Sequence, residues 1–304
     1  MIRFRDVGAV YFITGSLTLP IPMLFARLLG LKTILVLDGS VYKSNKQGKL
    51  WFLAPALRGI EEGILLLTSF IVPEAKSIIP EFNLLRFHRK VLPPARQHID
   101  LELFRVITSY EKRENVVGYI GRFEEEKGIL NLVEAIPLIT KHIKNVKFML
   151  IGNGPLYDTI LSKTKRFQNV QIIKWVPHEE IPKYLNQMKI LVLPSYSEGV
   201  PKAVLEAFAC NVLVLSTAVG GLRELVKDGE TGFVIDDNSP EAIAKRVIAL
   251  LRKPYCEIKE VLEKARALVV SKYSLEAMVQ RHREILRRVV GNNTLSERDS
   301  NDRI

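Results

Sequence analysis

Short runs of consecutive Val, Ile and Leu alternate along this chain with longer stretches whose apolar residues recur at helical spacing. The runs are GAVYFIT (8–14), TILVLD (33–38), ILLLTS (64–69), VVGYIG (116–121), VKFMLIG (146–152), VQIIKW (170–175), ILVLPS (190–195) and VLVLST (212–217). A strand with one wet face alternates apolar and polar residues. These runs do not, so each predicted strand needs cover on both faces. Amphipathic stretches lie between them, for example at 129–143, 155–167 and 202–210. Strand and helix in regular alternation predict parallel sheets sandwiched by helices, the doubly wound α/β class.

A chain of 304 residues favours two domains over one. The polar segment VITSYEKREN (106–115) reads as the linker, which sets a first domain at 1–110 and a second at 111–275. After 238 the pattern turns wholly helical. In SPEAIAKRVIALLRK, Ser239 is placed to cap a helix and Pro240 to occupy its first position. Two more helices are expected near 256–270 and 274–290, the stretch 276–290 packing back on the first domain. Residues 291–304 form a polar tail.

Hydrophobic residues make up 47% of the chain, enough for real cores, and the net charge is +11. The excess is spread: 14 basic and 8 acidic residues up to 110 leave 30 and 25 after it, or +6 and +5. No long basic block forms, and no finger, zipper or RNP-like pattern accompanies it, so nucleic acid is not an expected partner. A generally basic soluble protein, an anionic ligand such as phosphate, and an anionic membrane surface all fit this balance. Two cysteines, Cys210 and Cys256, make neither a disulfide framework nor a metal-ligand spacing, which suits a reducing cytoplasm. The first residues show no secretory pattern. The apolar stretch LTLPIPMLFARLLG is broken by two prolines and Arg27, well short of the ~20 residues that span a bilayer. A helix at 17–29 there either faces the core or touches a membrane surface.

Three places carry candidate chemistry. In GYIGRFEEEKGI a strand ends in a Gly turn, and Arg122 and Lys127 follow at the mouth of the next helix. Two cations at a helix N-terminus suit a diphosphate; a solvated strand-end charge fits as well. IGNGP (151–155) is a second strand-to-glycine step, with Gly154 at its turn, or a plain turn. PSYSEGVPKAVLEAFAC holds Glu198 on a loop and Glu206 inside the helix that Pro201 opens. At ~1.5 Å of rise per residue the two carboxylates stand roughly 10 Å or more apart. A retaining glycosidase pair needs ~5–5.5 Å, so these two alone do not make a hydrolase. Their spacing fits two contacts along one extended ligand, or one helix-start glutamate and one exposed one.

GRFEEEKGI, IGNGPL, WVPHEEIPKYLNQMKILVLPSYSEGVPKAVLEAFAC and STAVGGLRELVKDGETGFVI occur in the order and spacing of family 4 glycosyltransferases of the GT-B fold, which the chain resembles over 116–290. LPPARQHIDLELF resembles the family's connector into its second domain. The resemblance implies two Rossmann-like parallel-sheet domains and a retaining, metal-independent transfer of a hexosyl unit. The donor would be a nucleotide-diphosphate sugar and the acceptor a glycan or lipid-linked group, with no cofactor. By position, Arg122 and Lys127 match the basic pair on the donor diphosphate. Glu198 matches the glutamate near the donor sugar, and Glu206 the one on the ribose hydroxyls. Gly199 and Val200 match backbone that approaches sugar and phosphate, Gly121 and Gly154 are further donor-binding candidates, Lys202 adds charge, and Trp175 with Val176 matches the nucleobase loop.

The chain also departs from the family. FRDVGAVYFITGS resembles the family's fourth strand onward, so either upstream sequence is missing from the gene model or the first domain is reduced. This half is expected to be partly unsatisfied alone or completed by another chain, and a homo-oligomer is the other expected assembly. A parallel sheet shortened in this way bares an edge and an apolar face. Asp38 stands where many members carry a histidine near the reacting sugar, which makes it an acceptor-side candidate or the cap of a strand-end turn. His178 reads as a loop residue before a helix. The alternative to an active transferase is a non-catalytic nucleotide-sugar-binding or assembly subunit. Peripheral attachment at the cytoplasmic membrane face fits either.

Overall fold

The computed structural model of the chain describes residues 8–13, 19–37, 52, 54–95 and 97–290. Asp38 and the tail 291–304 lie outside the described residues. The chain divides into two compact units, Met1–Gln97 with Glu276–Ile304, and His98–Leu275.

The first unit holds a parallel three-stranded sheet in the order β1 (Ala9–Ile13), β2 (Lys32–Leu37), β3 (Phe70–Pro73). Ala9 stands opposite Lys32, and Ile34 opposite Phe70. Pro20 and Pro22 fall in the first turn of helix Pro20–Leu28, where a missing N–H leaves no bond unmade. That helix buries Met23 and Ala26. Helix Leu275–Val290 contributes Ile285 and Val289 to a core shared with Ile34 and Val72.

The predicted strand at 64–69 is not one. Helix Ala54–Leu67 runs through most of it, and the strand is the shorter FIVP that follows. The burial pattern gives the reason: Leu57, Ile64 and Leu65 are buried while Leu66 is exposed, a helical period rather than alternation. The carbonyls at the helix's end are met by cations. Lys90 Nζ donates to the Leu66 and Thr68 carbonyls at 3.1 and 3.0 Å, and Arg27 to that of Leu67 at 3.1 Å. Burial, and then the neighbouring Arg27 charge, lower the Lys90 pKa.

The second unit is built on a six-stranded parallel sheet in the order β6-β5-β4-β7-β8-β9. Its strands are β4 (Val116–Ile120), β5 (Lys147–Ile151), β6 (Val170–Ile173), β7 (Ile190–Leu193), β8 (Leu213–Ser216) and β9 (Phe233–Val234). Helix Ile129–His142 buries Ile129, Leu132, Val133, Ile136 and Ile139. Helix Pro240–Arg252 adds Ile243, Val247 and Leu250 to the same core, and its first turn is capped by Ser239 Oγ, which accepts from the Ala242 N–H at 3.2 Å.

The segment 106–115, read from its polarity as a linker, is fastened into this unit. Arg113 is buried and donates to the carbonyls of Thr108, Met188, Cys210 and Asn211 at 2.7–3.0 Å. Strand order then sets the geography of the site. The chain builds outward from β4 through β5 to β6, and returns to lay β7 on the other side of β4. Open α/β sheets bind ligands beyond the carboxyl ends of their strands, at such a reversal.

Candidate active site

Loops leaving β4, β7 and β8 meet at the reversal between β4 and β7. The Tyr196 N–H donates to the Glu126 carbonyl at 2.8 Å, and the Gly221 N–H to that of Glu198 at 3.2 Å. Two glycines allow this approach. Gly128 has φ +61°, and a Cβ there would strike the Pro194 carbonyl oxygen; Gly220 has φ +46°, and a Cβ would strike that of Glu198. Asn131 Nδ2 ties the cluster further, donating to Tyr196 Oη at 2.9 Å and to the Asn238 carbonyl at 2.7 Å.

Lys127 ends a single 3₁₀ turn, Glu125–Lys127, after β4. Its Nζ lies 3.0 Å from Glu198 Oε2, and the two side chains are only 16% and 10% exposed. Glu198 Oε1 accepts from Ser195 Oγ at 2.7 Å, and the Ser195 carbonyl accepts from Thr217 Oγ1 at 2.6 Å. So enclosed a pair interacts more strongly than it would in open water. An ammonium has three donors, and Glu198 is the one ion-pair partner of Lys127 among the described residues. Beneath them, Tyr119 Oη donates to the Arg122 carbonyl at 2.7 Å. Burial raises the Tyr119 pKa, with the Glu198 and Glu124 charges adding to it, so the phenol stays a neutral donor.

Glu206 sits in helix Lys202–Ala209 and is buried, with 4% of its surface exposed. Its Oε1 lies 2.7 Å from His178 Nε2. An ionised carboxylate only accepts, so with Glu206 ionised Nε2 carries the hydrogen. The imidazole sits on the 3₁₀ turn His178–Glu180, its ring centroid 5.2 Å from that of Phe104. His178 reads from the sequence only as a loop residue before a helix, and Ser195 only as the end of a strand run, because nothing local marks either for the site; the Gly220–Gly221 pair was visible as a motif without a role. Behind Glu206, burial pushes the Cys210 thiol up to about 12, against the lowering pull of Arg113.

The remaining candidates are placed as follows. Arg122 turns to Glu124, its NH1 2.7 Å from Oε1 with 63% of the side chain exposed, and is not brought to Lys127 and Glu198 by any ion pair among the described residues. Gly121 N–H donates to the Ile151 carbonyl at 3.0 Å and Phe123 N–H to that of Asn153 at 2.9 Å, so the loops after β4 and β5 run side by side with Gly154 at the crossing. Val200 is buried, and a Cβ at Gly221 would strike the Gly199 carbonyl oxygen. Lys202 is exposed in the first turn of its helix. After β6, Trp175 is 75% exposed and Val176 half-buried. Among the described residues no three His, Cys, Asp or Glu side chains gather to hold a metal ion.

A sequence model of the family described as "Glycosyl transferases group 1" matches residues 102–269. The capsular polysaccharide biosynthesis glycosyltransferase CapM of Staphylococcus aureus is 32% identical over 139 residues, 45% of this chain and 36% of CapM. The putative teichuronic acid biosynthesis glycosyltransferase TuaC of Bacillus subtilis is 30% identical over 229 residues, 70% of this chain and 54% of TuaC. The chain spans about half the length of the curated relatives it matches. The crystal structure of Anabaena Alr3699/HepE in complex with UDP superposes with a TM-score of 0.76 at 14% identity, covering 91% of this chain and 78% of that one. The parallel-sheet α/β architecture is therefore that of the GT-B fold.

Proposed function

This chain belongs to the group 1 glycosyl transferases, and on that footing we propose that it moves a hexosyl unit from a nucleotide-diphosphate sugar to a glycan or lipid-linked acceptor, retaining anomeric configuration and using no metal ion. The observation that carries the reading is the enclosed Lys127–Glu198 pair at the reversal between β4 and β7. In such a transfer the bond from the anomeric carbon to the diphosphate oxygen breaks, the acceptor hydroxyl oxygen bonds that carbon on the same face, and the hydroxyl proton passes to the departing diphosphate. Negative charge lands on the departing diphosphate. Lys127, Lys202, the N-terminus of helix Lys202–Ala209 and Arg122 are the groups to meet it, and preorganised charge of this kind is usually the largest catalytic contribution. Arg122 is free to turn, because an exposed ion pair such as the one with Glu124 holds by about 1 kcal/mol or less.

Glu198 is assigned to the donor sugar, Glu206 to the ribose hydroxyls, and Trp175 with Val176 to the base. Backbone at Gly121, Gly154, Gly199 and Val200 approaches the phosphates and sugar. The names of CapM and TuaC support a glycan acceptor, and the UDP held by HepE supports UDP as the first probe. Donor turnover in EDTA tests the reading: wild type turns over, while Lys127→Ala and Glu198→Ala fall by about 10²–10³-fold. Equal rates in all three would sink it.

Peripheral membrane contact is part of the same proposal. Ile21, Leu24, Phe25 and Leu28 form an exposed row along helix Pro20–Leu28, beside Arg27. No described helix is long and apolar enough to cross a membrane. Co-sedimentation with anionic vesicles, lost in Phe25→Asp and absent with neutral vesicles, is the expected result.

A further inference from the structure

Glu206 is a buried carboxylate, and among the described residues His178 is its one hydrogen-bond partner. His178 does not belong to the same element. It follows Trp175 and Val176 on the turn after β6, while Glu206 lies in the helix after β7. The 2.7 Å contact is therefore a tie between two separate parts of the site. One part is assigned to the base and the other to the ribose.

We propose that His178 is a positioning residue for the nucleoside half of the donor. Its Nε2–H holds Glu206 Oε1, and so fixes the carboxylate that takes the ribose hydroxyls and the loop that faces the base. The inference rests on the glycosyltransferase reading and adds to it a residue that touches neither phosphate nor sugar. A Glu side chain has three rotatable bonds, so an untethered carboxylate must be ordered when the ligand arrives; a charge-assisted hydrogen bond does that ordering beforehand. The imidazole is itself steadied by the Phe104 ring 5.2 Å away. The diphosphate and sugar end has its own groups at Lys127 and Glu198, and neither bonds to His178 among the described residues. The tie should therefore matter for the nucleoside and not for the phosphates.

The experiment measures binding of UDP, GDP and inorganic pyrophosphate to the full chain by calorimetry, for wild type, His178→Ala, His178→Gln, Glu206→Ala and the His178→Ala/Glu206→Ala double variant. Expected in His178→Ala is an increase of about tenfold in the nucleoside diphosphate Kd, about 1.4 kcal/mol, with pyrophosphate binding unchanged. His178→Gln keeps a side-chain N–H and should recover most of the loss. In the Glu206→Ala background, adding His178→Ala should change nothing further. In turnover, donor KM should rise while kcat holds. Wild-type UDP affinity in His178→Ala, or an equal loss of UDP and pyrophosphate, overturns the proposal; so does a further loss in the double variant. A wild type that binds pyrophosphate but neither nucleoside diphosphate overturns the donor reading itself, and this inference with it.

Discussion

Arg113 carries its charge into the second unit with no ion pair to a carboxylate among the described residues; four backbone carbonyls and the Asn186 side chain take its N–H groups instead. Two of those carbonyls, of Cys210 and Asn211, close the helix that bears Glu206. Polarity alone placed this arginine in a linker, since a buried guanidinium and a solvated one look alike in sequence. Arg113→Met leaves buried carbonyls unmatched and should cost about 3 kcal/mol or more in urea unfolding. Arg113→Lys should recover only part of that, because an ammonium lacks the planar fork. Nearby, Cys210 is buried with its thiol pushed up to about 12, while Cys256 is exposed. Titration with a thiol reagent should find one reactive cysteine in the native protein and two after unfolding.

At the scale of elements, runs such as ILVL at 190–193 were legible because a doubly covered strand must be apolar throughout. Ser239 and Pro240 marked a helix start through chemistry local to the turn. The run at 64–69 misled for a related reason: four or five consecutive apolar residues suit a buried strand and a buried helix alike. FIVP was passed over because it is short and ends in proline, which an edge position tolerates. The loops of the site depend on close backbone approach. Gly220→Ala puts a Cβ against the Glu198 carbonyl in a left-handed conformation, and should cost about 1–3 kcal/mol and most of the activity. A variant with wild-type melting temperature and turnover would show that the 198 and 220 loops do not need each other.

For the molecule as a whole, several buried acids hold their protons beyond their ordinary range. Burial raises Tyr110 and Tyr119 above the usual 10.0, and Cys210 to about 12 from 9.0. In alkali the unfolded chain releases these protons first, so the native state binds more of them and stability falls as pH rises. The contribution is intact below about 9 and is lost progressively above it, through the range where Cys210 titrates in the fold. Unfolding free energies measured by urea from pH 8 to 10.5 should decline; a flat profile would contradict the burial of these groups. The basic excess acts locally as well, since Lys90 and Arg27 close one helix end and Arg113 another.

Local patterns in the chain were sufficient for the parallel α/β class, for most strands and helices, and for the candidate residues Lys127, Glu198 and Glu206. Periodicity and turn chemistry act over a few residues, and so can be read from a few residues. The pairing of Lys127 with Glu198 and of Glu206 with His178 was decided only by the tertiary structure. It follows from a parallel strand order that brings the loops after β4, β6 and β7 to one end of the sheet, and that order leaves no mark on any single segment.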